Sequence, residues 1–138
     1  MTKVDFYILQ SGSREFTACK LIEKAFSLGH RIYVHTGSED QLSKIDNLLW
    51  TFRAGSFIPH QLYQSDSSEN SPVQLGTDKA PHIDSDVLIN LAAEIPLFFS
   101  RFQRVAELVG SDEQAKALGR EHFQFYRDRG YSLNTHRL

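Results

Sequence analysis

The sequence predicts an α/β fold, a mostly parallel sheet with helices on both faces, and three observations carry that reading. Short apolar runs rich in β-branched and aromatic residues occur at 4–9, 31–35 and 87–92, the signature of strands buried on both sides. Stretches with apolar residues at helical spacing follow the first two runs. The resulting β-α-β-α order calls for right-handed crossovers, which lay the strands parallel and set helices on the sheet.

Each element has a local reason. Residues 4–9 read Val-Asp-Phe-Tyr-Ile-Leu, a buried strand. Gln10-Ser11-Gly12-Ser13 makes a turn, and Ser13 can cap the next helix, whose Ala18, Ile22, Ala25 and Phe26 share a face. Gly29 stops that helix, and a second strand runs over 31–35. Ser38 caps the following helix, with Glu39 and Asp40 in its first turn and Gln41 at the capping-box position. Leu42, Ile45, Leu48 and Leu49 form its buried stripe. Residues 63–80 are rich in Ser, Asp, Asn and Gln and read as an exposed, mobile loop, interrupted by a short strand at 72–75. Strands are expected again at 87–92 and 104–108, and Ser111 with Asp112 and Glu113 opens the last helix.

Composition bounds the function. The 138 residues make one domain, 1–138, long enough for a core without metals or disulfides. One cysteine, Cys19, excludes an intramolecular disulfide and fits a reducing cytoplasm. It sits within a helical pattern, as buried filler rather than a nucleophile. No apolar run approaches the roughly 18 residues that span a bilayer, and the N-terminus lacks a signal-peptide layout. The net charge of −2 argues against general affinity for nucleic acid.

Catalytic motifs are nearly absent. The first strand-to-helix turn has one glycine, Gly12, and so neither a dinucleotide fingerprint nor a P-loop lysine. Ser11-Gly12-Ser13 could present amides to a phosphate, but a capped helix start is the better reading. The six histidines show no metal-site spacing with Cys or carboxylates. His35 ends a strand without an evident nucleophile or acid partner, so its role is structural. Asp84 and Asp86 around Ser85 read as a loop cap.

Two stretches resist a purely structural reading. From 116 to 138 there are five Lys or Arg against two acids, whereas the preceding residues hold ten against fifteen. Wound at about 100° per residue, Leu118, His122 and Phe125 line one side of the last helix, while Lys116, Arg120, Phe123 and Arg127 fall opposite, with Gln124 at the edge. A Phe among cations suits an acidic ligand that ends in something apolar. The second stretch gathers Trp50, Phe52, Phe57, Ile58 and Pro59 at and after a helix end, either as a protein-interface patch or as a lid folded on the core.

Leu49-Trp50 followed by Ser56-Phe57-Ile58-Pro59-His60-Gln61-Leu62 closely resembles the Leu-Trp and Ser-Phe-Val-Pro-His-Asn-Leu signature of the chi subunit of bacterial DNA polymerase III. Arg120-Glu121, Tyr126-Arg127, Gly130-Tyr131 and Leu133-Asn134-Thr135 resemble the ending of the same family, and Phe6-Tyr7 with Val87-Leu88-Ile89-Asn90-Leu91 extend the likeness over the whole chain. The resemblance implies a Rossmann-like fold without its nucleotide-binding loop, no active site and no cofactor. It implies a clamp-loader accessory protein in DNA replication. Such a protein pairs with the psi subunit as a heterodimer. It also binds the acidic, apolar-ended C-terminal tail of single-stranded DNA-binding protein, reaching DNA only through that protein. By similarity, Trp50, Phe57 and Pro59, with His60 nearby, belong to the psi-facing surface. Lys116, Arg120, Phe123 and Gln124 occupy the positions of the tail-binding helix, with Arg127 on the same face. The chain departs from better-known members at Phe123, where they carry Tyr, and at Gln124, where they carry Lys. Two rivals from other classes are a small nucleotide-binding enzyme using Ser11-Gly12-Ser13 and His35, and direct binding of single-stranded DNA by the C-terminal basic face.

Overall fold

The structure is a computed structural model that describes residues 1–63, 71–77, 81 and 86–138. Among the described residues seven strands and three α-helices follow in the order β1 (Lys3–Ile8), α1 (Arg14–Ser27), β2 (Ile32–Thr36), α2 (Glu39–Thr51), β3 (His60–Leu62), β4 (Val73–Thr77), β5 (Val87–Asn90), β6 (Arg104–Val109), α3 (Glu113–Asp128) and β7 (Ser132–Arg137). They form one sheet in the order β3-β4-β2-β5-β6-β1-β7, and every described strand pair is parallel.

The helix boundaries follow from local chemistry. The Ser13 hydroxyl accepts from the Phe16 amide at 3.0 Å, and Gly29, at φ +87°, lets the chain leave α1. The Ser38 hydroxyl accepts from the Gln41 amide at 3.1 Å. The Gln41 side chain reaches back one residue further than a standard capping box and accepts from the Gly37 amide at 2.9 Å. At α3 the cap is Asp112 rather than Ser111, its carboxylate accepting from the Ala115 amide at 2.8 Å.

Two cores lie on opposite faces of the sheet. On one, Ala18, Ile22, Ile45 and Leu49 of α1 and α2 pack on Ile32, Val34, Leu75 and Ile89. On the other, Tyr126 of α3 packs with Val4, Phe6, Tyr33, Leu88 and Phe99. Alternate residues of each strand feed alternate cores, as the period of two requires. The helices thus cover both faces, as the sequence predicts. The short strand expected at 72–75 is present as Val73–Thr77, but it is largely buried between β2 and β3 rather than part of an exposed loop. The expected mobility of 64–70 and 78–80, and the proposed cap around Asp84 and Ser85, fall outside the described residues. Asp86 itself accepts from the Arg31 amide at 3.0 Å. Strands β3 and β7, the two sheet edges, are additions to the sequence reading.

Candidate functional site

Neighbouring strands β1 and β6 send their helices to opposite faces, which opens a crevice at their carboxyl ends, the usual ligand position in such sheets. A cavity of about 380 Å³ lies there, lined by Gly12, Arg14, Gly110, Asp112 and His122 among others. Both helix starts facing it are closed by their own caps, Ser13 and Asp112. The Arg14 guanidinium leans back toward the Leu108 carbonyl at 3.5 Å. The capped-helix reading of Ser11-Gly12-Ser13 therefore accounts for this loop.

Helix α3 reaches the sheet through Gly119. A Cβ there would stand 2.8 Å from both Val109 methyl groups, so only glycine permits this approach. Its buried arc centres on Gly119, His122 and Tyr126. That shifts Phe123 from the middle of the basic face to its seam: the ring is half-buried, 5.3 Å from the Phe6 ring. Lys116, Arg120, Gln124 and Arg127 are exposed as predicted. Lys116 lies 3.8 Å from Glu113. Gln124 donates to Asp128 at 2.6 Å and accepts from Arg127 at 2.7 Å, so it links Arg127 to an acid. Arg120 has no hydrogen bond or ion pair among the described residues, and all five guanidinium donors stay open. Thr135 of β7 is exposed and is the register partner of Phe6. Thr135 thus extends this surface past the residues that periodicity singles out, with the buried Phe6 ring behind Phe123.

Beneath α3 lies a polar network that the sequence reading does not identify. Glu107, in the middle of β6 and nearly buried, accepts from Tyr126 Oη at 2.8 Å and Asn90 Nδ2 at 3.0 Å, and faces His122 Nδ1 at 2.9 Å. His122 Nε2 donates to the Ala93 carbonyl at 2.8 Å. Burial works against a charged His122, but the hydrogen bond and the negative charge of Glu107 outweigh it and raise its pKa. The Tyr126 phenol is pushed far up by burial and by Glu107. The one available signal was a glutamate inside an apolar strand, Val105-Ala106-Glu107-Leu108-Val109.

The aromatic stretch divides between core and surface. Ile58 is buried at 1% exposure and Phe52 is half-buried, while Trp50 and Phe57 are 52% and 68% exposed. The inward Ile58 pins the segment and turns Phe57 out. Trp50 lies 5.8 Å from Phe57 and 4.5 Å from the His60 ring, and Pro59 is half-buried beside them in the chain. His60 Nδ1 donates to the Ile58 carbonyl at 2.7 Å, and its Nε2 stands 3.1 Å from Asp46. Ser56 Oγ donates to Glu23 at 2.7 Å, which anchors the loop to α1. The patch lies at the β3 edge, whereas α3 lies at the β7 edge on the other face.

Cys19 is fully buried, and burial with help from Glu15 pushes its thiol up to about 12. Among the described residues no three metal-binding side chains gather at one point, and no helix is long and apolar enough to cross a membrane.

A family model described as DNA polymerase III chi subunit, HolC, matches residues 1–134. The DNA polymerase III subunit chi of Pseudomonas aeruginosa is 44% identical over 141 residues, covering 100% of this chain and 98% of that protein. The proteins of the same description from Haemophilus influenzae and Escherichia coli are 30% and 28% identical, over 94% and 98% of this chain and 93% and 97% of their own lengths.

Proposed function

Because the chain belongs to the chi subunit family of DNA polymerase III, we propose that it is a non-catalytic connector of that replication assembly. The α3 face binds the acidic C-terminal tail of single-stranded DNA-binding protein. The patch of Trp50, Phe57, Pro59 and His60 binds the psi subunit as a heterodimer. Contact with DNA is indirect, through the coating protein.

The observation that carries the tail site is Arg120, exposed and without a partner among the described residues, one helical turn from the half-buried Phe123 ring. A guanidinium with open donors suits the bidentate geometry of a terminal carboxylate. The partly open ring, with Phe6 behind it and Thr135 alongside, suits a terminal apolar side chain. Burying that side chain contributes about 1.5–3 kcal/mol. Each exposed ion pair from Lys116 or Arg127 adds only about 0.2–1 kcal/mol. The apolar residue therefore anchors the peptide and the charges orient it. After the cost of ordering a flexible tail, affinity in the micromolar range is expected, about −8 kcal/mol.

Fluorescence anisotropy of a labelled tail peptide tests this reading directly. Arg120→Ala should lose most binding while its melting temperature stays that of the wild type, since Arg120 is exposed and has no hydrogen bond or ion pair among the described residues. An unchanged affinity in that variant would remove the α3 site from the proposal. For the second surface, Phe57→Ser should abolish co-elution with psi without loss of stability, because the ring is mostly in solvent already.

A further inference from the structure

Helices α1 and α2 make their larger contacts with β2, β3, β4 and β6 and fewer with β1 and β7, toward the β7 edge of the same face. A groove of about 350 Å³ runs there between α1 and β7. Its apolar part comes from Leu21, Ala25 and Leu28 on the helix side and from Tyr7, Ile89 and Ala106 on the sheet. Leu28 is 66% exposed, an apolar side chain left in solvent at the groove's lip.

A buried carboxylate organises the sheet side. Asp5 is only 6% exposed and uses both oxygens, Oδ2 toward Arg104 Nη2 at 3.3 Å and Oδ1 toward His136 Nε2 at 3.1 Å. The His136 ring also stacks on Tyr7 at 4.7 Å. A sheet face that met only water would gain nothing from a carboxylate held out of solvent. Here its effect is to hold Arg104 and His136 over the groove. Lys24 stands on the opposite rim, and Lys3, the register partner of Arg104, continues the basic edge. Neither Lys3 nor Lys24 has an ion pair among the described residues. Lys3, Lys24 and Arg104 stand against Asp5 and Asp86, the latter 3.5 Å from His30 Nδ1, so one positive charge is left over around the groove in a chain whose net charge is −2.

From an aliphatic floor flanked by Lys24 and Lys3, which have no ion pair among the described residues, and by Arg104, which Asp5 holds in place, we propose that this groove docks an acidic segment of a protein partner, which seats one apolar side chain between Lys24 and Arg104. The site is separate from the α3 surface, because the two lie on opposite faces of β1 and β7. The floor favours a peptide over single-stranded nucleic acid. Base recognition relies on open aromatic planes, and here the Tyr7 plane is already covered by His136.

The probe is an amide-capped Asp-Asp-Leu-Asp-Asp peptide, which has no terminal carboxylate for Arg120, titrated into the isotope-labelled full chain and followed by amide chemical shifts. Saturable shifts at Ile89, Ala106 and His136 are expected, with half-saturation at or below about 1 mM. Lys24→Glu should weaken them about fivefold and Leu28→Ser should weaken them too, both at exposed positions that leave the fold intact. Arg120→Ala should leave them unchanged. The proposal is overturned by any of four results. These are no groove shifts, shifts confined to Phe123 and Arg120, equal shifts from a peptide with Asn in place of Leu, or the same shifts produced by oligothymidylate or by raising the protein concentration alone.

Discussion

Glu107 is where a single side chain does most to fix α3. Its two oxygens meet three groups, from Asn90, His122 and Tyr126, so strand β5, strand β6 and the helix are joined at one buried point. With Nε2 of His122 donating to a carbonyl and Nδ1 facing a carboxylate, the pair needs its shared proton. Because the folded pKa of His122 is raised, its contribution is fully present below the unfolded value of about 6.5 and fades as pH rises through the folded value. His122→Leu should therefore cost about 3–5 kcal/mol in mildly acidic buffer, where it strands a buried carboxylate. The gap between wild type and variant should narrow toward alkaline pH. Denaturant titrations at several pH values check the sign, and a gap that widened on raising the pH would contradict it. Cys19 supplies a second test at this scale. A fully buried thiol with its pKa near 12 should resist alkylation until the fold opens, so its labelling rate reports unfolding.

At the scale of elements, α3 depends on one close approach. Replacing Gly119 by Ala drives a methyl group between the Val109 methyls. Overpacking costs about 1–3 kcal/mol, while the better helix propensity of Ala returns at most about 1 kcal/mol. Gly119→Ala should thus lower stability and also tail-peptide affinity, as the helix lifts from β6, and adding Val109→Ala should restore both. Sequence periodicity located α3 but not this detail. A wheel at 100° per residue sets Phe123 only a short arc from the cations, and the position of Val109 beneath Gly119 decides which way the helix rolls. The strands divide the same way. Residues 4–9 and 87–92 were legible because burial on both faces leaves an unbroken apolar run. Strand β7, Ser132–Arg137, is an edge with mostly exposed side chains, and its polar sequence carries no period of its own. Strand β3 is three residues long and is defined by pairing with β4, which local composition cannot reveal. The Glu107 network was hidden for a related reason, since its partners lie 15 to 19 residues away.

Across the whole molecule, charge and surfaces are laid out by the parallel sheet. Because every strand points the same way, the helix starts that draw acids, Glu15, Glu39, Asp40 and Glu113, gather at its carboxyl end. Lys3, Lys24, Arg101 and Arg104 collect at the amino end. The proposed partner surfaces sit crosswise to that axis, one beside edge strand β3 and one beside edge strand β7, on opposite faces. Six strand spacings separate those edges, about 29 Å, which exceeds the screening length of about 8 Å at physiological salt. No residue belongs to both surfaces, and the strands between them are largely buried. Charge at one surface is therefore screened from the other. Psi bound at Trp50 and Phe57 should leave the affinity for the tail peptide within about twofold of that of the free chain, a coupling below about 0.5 kcal/mol. Titrating the labelled peptide into the chain with and without saturating psi measures this. A tenfold change, about 1.4 kcal/mol, would mean that psi itself reaches the tail or that the sheet transmits strain from one edge to the other. Repeating the titration with Arg120→Ala separates those cases, since a tail held by psi would survive the loss of Arg120.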